Sequence, residues 1–359
     1  MSRESEAILQ ALQHLGASGR PGALATLVRT WGSTYRRPGA RMVIGPEGPL
    51  AGTLSGGCLE GDVSEIAQRV VQSRRPVLVR YDLSEDQVWS LGLGCGGGVE
   101  VLIEPLEPER VREAVAVGHV DDARRLPQPL NPESLVVAGL AGLAAGATVA
   151  VITAFSLPEG VSGAQGPGSW ELAGLARMAL WRQEGELRVV GSLGDEQLTA
   201  WAFEEGRRRM AGGPAPKGVV VAPVAGEPQV FVDLLQPAPR LLVLGAGHDA
   251  VPVVQMAAAA GFRVVVADPR PAFATVHRFP GAERVLVCEP ADTPEQVPLT
   301  PRDYVLVMNH HKQRDRESLQ AWWQGPPEYV GILGPRRRTE EMLQELGIPY
   351  ENKVVSAHR

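Results

Sequence analysis

Two glycine-rich segments near the N-terminus each surround a cysteine, the residue type best suited to a soft metal or to sulfur chemistry. They are 55–60 (SGGCLE) and 94–98 (GCGGG), which contain Cys58 and Cys95. Glycine-rich backbone lets N–H groups converge on an anion and would stabilise a thiolate, and thiolates favour soft metals. The alternative is that both cysteines are small packing residues beside tight turns. Because each lies in its own glycine cluster, we favour a functional role.

A second glycine pattern, 245–250 (GAGHDA), matches the G-x-G-x-x-A sequence of dinucleotide-binding loops. It follows a predicted strand at 241–244 and opens an alanine-rich helix. Gly245 permits the tight turn, and Gly247 allows a pyrophosphate to approach the backbone. Asp268 lies 23 positions after Gly245, at the end of the next predicted strand, where an acid that binds ribose is expected. The pattern predicts a Rossmann fold with a nucleotide at this loop.

Several assignments in this half remain open. The Rossmann domain either binds a nucleotide or has only a structural role. Arg270 either meets a ribose phosphate or is a solvated loop residue. His310, after the predicted strand 304–308, is either an acid/base or ligand contact, or a buried or helix-capping histidine. The arginines at 336–338 start a helix, which indicates either a bound anion or a solvated basic face.

The pattern of predicted elements divides the chain into three parts. Residues 1–105 form a mixed α/β domain with the cysteine motifs, residues 106–236 continue it as an α/β middle region, and residues 240–359 form the Rossmann-like domain. The linker is 236–239 (QPAP). From residue 240 onward strands alternate with helices, which predicts a parallel sheet covered on both faces.

Composition excludes several classes of protein. The net charge of the 359 residues is −6, which argues against nucleic-acid binding. The apolar run 135–155 is interrupted by glycines, so we predict a buried helix and strand instead of a membrane span. Three cysteines without zinc-site or disulfide spacing indicate a reducing setting, the cytoplasm.

Seven motifs, in order along nearly the whole chain, resemble those of the XdhC/CoxI family. The motifs are GSTYRRPGARM, SGGCLEGDV, GCGGGVEVLIEPL, LLVLGAGHDA, VVVADPRPAFATVHRFP, VLVMNHHKQRD and YVGILGPRRR. Members of this family are accessory proteins for the maturation of molybdenum hydroxylases such as xanthine dehydrogenase and carbon monoxide dehydrogenase. This sequence departs from the family at Tyr35, where a proline is usual.

The resemblance implies a molybdenum-cofactor chaperone, not a catalyst, that assists sulfuration of the cofactor and delivers it to an apo molybdenum hydroxylase. We also expect a cysteine desulfurase partner, a homodimer, and NAD(P) or a dinucleotide form of the cofactor in the Rossmann domain. The resemblance gives Cys58 and Cys95 as metal or sulfur contacts. Carried over with the other motifs, the full set of expected cofactor contacts is Arg36, Arg37, Arg41, Gly56, Gly57, Cys58, Cys95, Gly96, Gly97, Gly245, Gly247, His248, Asp268, Arg270 and His310.

Two other functions stay open at this stage. An NAD(P)-dependent oxidoreductase would explain the segment 245–268 but would leave the cysteine loops without a role. A protein-interaction scaffold with a degenerate Rossmann domain would bind neither nucleotide nor pterin. Binding measurements with each ligand distinguish the three functions.

Overall fold

The computed structural model describes residues 3–82, 97–118, 132–157, 168–183, 186–212, 218–327, 329–349 and 354–356. The chain forms two compact units, Arg3–Pro237 and Ala238–Arg359. The boundary between the units falls within the linker predicted at 236–239. The first unit contains the described parts of both 1–105 and 106–236.

The first unit contains five helices and eleven strands among its described residues. In chain order they are α1 (Arg3–Ser18), β1 (Gly22–Gly32), β2 (Arg41–Gly45), β3 (Gly48–Gly52), α2 (Glu60–Ser73), β4 (Val77–Asp82), β5 (Gly97–Leu106), α3 (Pro108–Gly118), α4 (Pro132–Ala144), β6 (Thr148–Phe155), β7 (Gly168–Glu171), β8 (Ala176–Gln183), β9 (Glu186–Ser192), α5 (Glu196–Met210), β10 (Val219–Val221) and β11 (Gln229–Leu235).

Two antiparallel sheets organise this unit. The strand order is β3-β2-β1-β5-β4-β7 in the first sheet and β10-β11-β6-β8-β9 in the second. Side chains alternate between the faces of each strand, so Leu24 of β1 lies in a core with α1, α3 and α4, whereas Ala25 lies in the core beneath α2. In β6, Val151 packs toward α4 and Ile152 toward α5. The layers are therefore α2, first sheet, α1 with α3 and α4, second sheet, and α5.

A buried ion pair joins the two sheets. Glu104 of β5 accepts from the guanidinium of Arg177 of β8 at 2.6 Å, and both side chains are almost fully buried. The Nε of Arg177 also donates to the hydroxyl of Thr153 at 2.8 Å. Removing one partner of such a pair costs about 3–5 kcal/mol, because the other charge is left buried without a counterion.

The second unit is a parallel sheet with helices. Its elements are β12 (Arg240–Leu244), α6 (Ala250–Ala259), β13 (Arg263–Asp268), β14 (Arg284–Val287), α7 (Thr293–Gln296), β15 (Tyr304–Val307), α8 (Lys312–Trp322), β16 (Tyr329–Ile332), α9 (Arg336–Glu345) and β17 (Val354–Ser356), with short 3₁₀ turns at Val276–Arg278 and Pro290–Asp292. The order β14-β13-β12-β15-β16-β17, with every pair parallel, is the Rossmann order. The predicted fold class is confirmed.

The apolar run 135–155 forms most of α4 and β6, as predicted. Val137 and Leu140 of α4 and Val149 of β6 are buried in one core. Within the described residues, no helix combines the length and the apolar character needed to cross a bilayer.

Candidate functional site

The first sheet brings the N-terminal motifs to one edge. β1 ends at Gly32 and β3 at Gly52, so the segments 33–40 and 53–59 both leave the sheet there. β5 begins at Gly97, which pairs with Gly32 of β1. Antiparallel pairing thus places residues from distant parts of the sequence along a single edge.

The two loops at this edge touch. A methyl group added to Gly56 would lie 3.2 Å from ring carbons of Tyr35. Gly56 and Gly57 have φ angles of +90° and +119°, which side chains with a Cβ rarely adopt. The ring of Tyr35 is 72% exposed. Glycine at these two positions therefore allows the left-handed backbone, and at Gly56 it allows the Tyr35 ring to pack against the loop. The exposed ring of Tyr35 thus lies beside the segment 53–59, which contains Cys58 and is called the cysteine loop below.

Glu60 organises the cysteine loop. Its carboxylate accepts from the backbone N–H groups of Leu54, Ser55, Gly57 and Leu59 at 2.9–3.1 Å, and from the hydroxyls of Thr53 and Ser55. The remaining loop amides, of Gly56 and Cys58, donate to the Thr53 and Ser55 hydroxyls. The N–H groups converge on an anion as predicted, but that anion belongs to the chain. Glu60 and the two hydroxyls use these N–H groups, so in this arrangement the N–H groups do not contact the Cys58 thiol.

These contacts also govern the protonation of Glu60. Burial opposes ionisation, but the hydrogen bonds from Ser55 and Thr53 outweigh it and hold the pKa of Glu60 far below its ordinary value. Glu60 is therefore a permanent internal anion at neutral pH. The loop is therefore held in this conformation by groups of the chain itself.

Cys58 is a free, exposed cysteine just before α2. Cys95 and Gly96 lie outside the described residues. Gly97 lies where a Cβ would come within 2.3 Å of the carbonyl oxygen of Trp31, so its small size is a packing requirement. No group of three or more His, Cys, Asp or Glu side chains able to hold a metal occurs within the described ranges.

The three arginines of the segment 36–41 differ in their surroundings. Arg36 pairs with Glu4 of α1. Arg41 is buried and pairs with Asp233 of β11; burial lowers the pKa of Arg41 to about 10. Arg37 is exposed and has no ion-pair partner among the described residues. Of the three, Arg37 is therefore the one whose charge is available to an anion from outside.

A cavity of about 510 Å³ lies beside these arginines. It is lined by Glu4, Ser5 and Ile8 of α1, by the segment 35–41 and by Leu140 of α4. Its volume is within the range of small-molecule sites. Because Tyr35 lines this cavity and also covers Gly56, the cavity and the cysteine loop are neighbours.

In the second unit, the glycine loop adopts the predicted tight turn. Gly245 has a φ of +115°, and a Cβ there would lie 2.5 Å from the carbonyl oxygen of Met308. The loop is tied down by Arg278, whose guanidinium donates to the carbonyls of Ala246 and Gly247 at 2.7 and 3.3 Å. Sequence reasoning missed Arg278 because no local pattern connects it to a loop some thirty residues earlier.

Asp268 lies under this loop, and the acceptor positions of its carboxylate are already used by groups of the chain. It is 1% exposed and accepts from the N–H of Ala246 at 2.8 Å. It also accepts from the backbone and guanidinium of Arg270 at 2.7–2.9 Å. Burial opposes ionisation, but the hydrogen bonds from Arg270 and Ala246 lower the pKa of Asp268. Arg270 itself lies over the Phe273 ring, 3.9 Å from its centroid. In this arrangement Asp268 has no acceptor position left for a ribose hydroxyl, whereas Arg270 keeps guanidinium N–H groups that Asp268 does not use.

Asp249 and His310 lie at the mouth of the same loop. Nε2 of His310 is 2.5 Å from Oδ2 of Asp249, and both side chains are substantially exposed. Oδ1 of Asp249 is 2.5 Å from where a Cβ on Gly247 would be. His310 adopts a left-handed φ of +55°, uncommon for a residue with a side chain. His248 packs edge-on near Phe273. A carboxylate thus stands where a pyrophosphate would approach.

The arginines at the start of α9 are paired within the protein. Arg336 and Arg337 contact glutamates one turn later in α9, and Arg338 pairs with the fully buried Asp315. Of the two interpretations of this cluster, these contacts favour a solvated basic face with one structural arginine.

Two sequence-family models match the chain. The model of the XdhC and CoxI family matches residues 15–82, and that of the XdhC Rossmann domain matches residues 241–356. The chain belongs to the XdhC and CoxI family. The first match contains the Cys58 loop and the arginine segment, and the second contains the glycine loop, Asp268 and His310.

Relatives of this XdhC-family chain agree with that assignment. It is 28% identical over 322 residues to a probable xanthine dehydrogenase subunit of Bacillus subtilis, covering 89% of this chain and 81% of that protein. It is 36% identical over 90 residues to the molybdenum cofactor insertion chaperone PaoD of Escherichia coli, covering 25% of this chain and 28% of PaoD. A crystal structure of a xanthine dehydrogenase from Bacillus halodurans matches with a TM-score of 0.67 and 27% identity, covering 97% of this chain and 87% of that one. Together these similarities support an accessory role toward molybdenum hydroxylases.

Proposed function

We propose that this XdhC-family protein binds molybdenum cofactor at the Cys58 loop and the adjoining cavity, and delivers it to an apo molybdenum hydroxylase. One observation carries the proposal: Tyr35 lines the cavity that holds Arg37 and also covers Gly56 in the cysteine loop. A cation, an aromatic face and a thiol therefore lie along one edge of one sheet.

The chemistry of these groups fits the parts of the cofactor. Molybdenum cofactor combines a phosphate, a planar pterin and a dithiolene that holds the metal. Arg37 would hold the phosphate through charge-assisted hydrogen bonds, the exposed ring of Tyr35 would stack on the pterin, and Cys58 would contact the soft metal or sulfur end. When bound, the cofactor supplies a redox-active metal; the chain supplies only the groups that hold it.

The loop suits a carrier, which must bind and release. Because Glu60 already satisfies loop amides, the loop that carries the thiol needs no ligand to satisfy these N–H groups. Its exposure leaves Cys58 accessible to a second protein. A cysteine desulfurase approaching the bound cofactor would use the same access during sulfuration. A free thiol requires a reducing compartment, so we place this activity in the cytoplasm.

For the second unit we propose a nucleotide ligand, NAD(P) or the nucleotide part of a dinucleotide cofactor. The support is the Rossmann strand order and the tight turn at Gly245. Binding would require the carboxylate of Asp249 to move away from Gly247. The carboxylate of Asp268 is already used by Ala246 and Arg270, which gives no support to the oxidoreductase alternative. The homodimer stays a prediction.

The direct test is to purify the full chain from a molybdate-fed host and to measure bound molybdenum and pterin. Cys58→Ser should lose most of the molybdenum while remaining folded, since the side chain is exposed. Cys288→Ala is the matched control, because Cys288 lies in the Rossmann core, and it should retain the metal. Absence of pterin from the wild-type protein, or equal loading of all three proteins, would exclude the proposed site.

A further inference from the structure

A second cavity lies on the opposite side of the first unit, away from the cysteine loop. Its volume is about 620 Å³, and it is formed between strand β9 and helix α5. Its apolar lining comes from Met178 of β8, Val189 of β9, and Ala200 and Phe203 of α5. Val189 is 45% exposed even though its neighbours are apolar. The cavity is therefore an apolar surface that the described part of the unit leaves uncovered.

Strand β9 forms the edge of the second sheet beside this cavity. Among the described strands it pairs only with β8, so it is an edge to which a further strand can be added. Its side chains alternate: Val190 packs into the core on the α4 side, whereas Leu187 packs with the core on the α5 side, the side to which Val189 contributes. A strand added to β9 would thus place every second side chain next to the cavity.

The rim of the cavity is acidic. Asp195 caps α5 by accepting from the N–H of Leu198 at 2.7 Å, and Glu204 pairs with Arg207 at 2.7 Å. Glu196, in the first turn of α5, lines the cavity and has no ion-pair partner in the described ranges. A segment that carries a lysine or arginine would find one unpaired carboxylate there.

We propose that the β9–α5 groove docks an extended segment of a partner protein. The segment would add to the edge of β9, insert apolar side chains at alternate positions against Val189 and Phe203, and place a basic residue near Glu196. The alternating side chains of β9 favour an extended segment with apolar residues at every second position. The carboxylate of Glu196 favours a basic residue in the same segment.

The experiment uses the full chain and a fluorescein-labelled octapeptide in which valine alternates with threonine and the terminal valine is replaced by arginine, so that the arginine lies on the same face as the valines. Binding is followed by fluorescence polarisation. We expect saturable binding. Val189→Asp should weaken it at least tenfold, because it puts a charge into the apolar contact. Val221→Asp is the matched control, since Val221 is 54% exposed on β10, the opposite edge of the same sheet; it should bind like the wild type.

Two further measurements sharpen the result. Glu196→Gln should weaken binding of the arginine peptide a few-fold but leave a peptide of alternating valine and threonine unaffected. A peptide N-methylated at alternate amides should not bind, because it cannot pair with the edge of β9. Equal binding by wild type and Val189→Asp would overturn the proposal, as would no saturable binding below about 1 mM, the level of roughly −4 kcal/mol.

A second copy of this chain could occupy the groove instead. In that case the wild type is a dimer, Val189→Asp converts it to a monomer, and the peptide does not bind. That result would also overturn the proposal. Molybdenum content of the same variants separates this inference from the proposed function. Val189→Asp should load molybdenum normally. If the wild type loads molybdenum but does not bind the peptide, the docking proposal has failed. If it binds the peptide but never holds molybdenum, the proposed function has failed.

Discussion

The two glycine-rich loops, one in each unit, look alike in sequence but offer different chemistry to a ligand. In both, a carboxylate of the same unit accepts loop N–H groups: Glu60 in the first and Asp268 in the second. In the first unit, an exposed thiol and a free arginine remain near the loop. In the second, an exposed carboxylate, Asp249, remains above it.

The difference shows that glycine content alone does not make an anion site. A glycine loop binds an external anion only if its donors are not already used and no acid stands at its mouth. By that criterion neither loop binds an anion through its own N–H groups, and in the first unit Arg37, beside the loop, would bind it instead. The second unit would bind one only after rearrangement. The predictions below test this contrast.

The largest effect is expected from Glu60→Ala. Hydrogen bonds to charged groups are worth about 1.5–3 kcal/mol each, and several loop donors would lose their acceptor. We expect the free energy of unfolding to fall by about 3 kcal/mol, measured by urea denaturation. Glu65→Ala, at an exposed position of the same helix, should change it by less than about 0.5 kcal/mol. Equal stability of both variants would show that the Glu60 contacts are not formed.

Acidification should reproduce part of this loss. The pKa of Glu60 is depressed in the folded protein, so its stabilisation is present above its ordinary value of 4.5 and is lost as the pH falls below that value. Stability curves of the wild type and Glu60→Gln should therefore converge below pH 4.5. Parallel curves down to pH 3 would contradict this role.

Arg37→Ala should weaken retention of the cofactor by tenfold or more. A charge-assisted phosphate contact is worth about 1.5–3 kcal/mol, and about 1.4 kcal/mol corresponds to tenfold. Arg36→Ala should have a smaller effect, because that guanidinium already pairs with Glu4. Molybdenum content after dialysis gives the comparison. If neither the single variants nor the double variant lose metal, both side chains belong to a solvated face.

Thiol labelling should differ between the units. Cys58 is exposed, whereas Cys288 is buried and its thiol donates to the carbonyl of Glu289. Burial, with the charges of Asp292 and Glu289, raises the pKa of Cys288. We expect Cys58 to react much faster than Cys288, because its thiol is accessible, as followed by mass spectrometry of each peptide. Equal rates would mean that the Rossmann core opens as readily as the loop.

The smallest effect is expected from Asp249→Asn. Removing an exposed charge from the mouth of the glycine loop should tighten ADP binding by about two- to fivefold, since exposed charge interactions are worth about 0.2–1 kcal/mol. Calorimetry with ADP measures this. Gly247→Val is the opposing control and should abolish binding. Unchanged affinity in Asp249→Asn together with binding by Gly247→Val would place any nucleotide site elsewhere.

Most elements with a clear local pattern could be predicted from the sequence. The alternating strands and helices after residue 240 predicted the parallel sheet, because buried parallel strands are short apolar runs between turn residues. Strand β17 has only three residues and lies at the sheet edge, so it carries no such pattern. The sequence of strand β8, ARMALWRQ, does not indicate a strand either, because it is rich in residues that favour helices. Pairing with β6 and β9 overrides that preference.

The sequence by itself determined which residues carry chemistry and which end of each strand they follow. The tertiary structure decided which of them are available. Arg37 and Arg41 are the same residue type in one short segment, but folding brings Asp233 to Arg41 and leaves Arg37 exposed. Asp268 ends strand β13, where the sequence predicted it, yet the use of its carboxylate by Ala246 and Arg270 depends on side-chain positions. The physical reason is that a hydrogen bond or ion pair forms with whatever group the fold brings near, and local sequence does not specify that group.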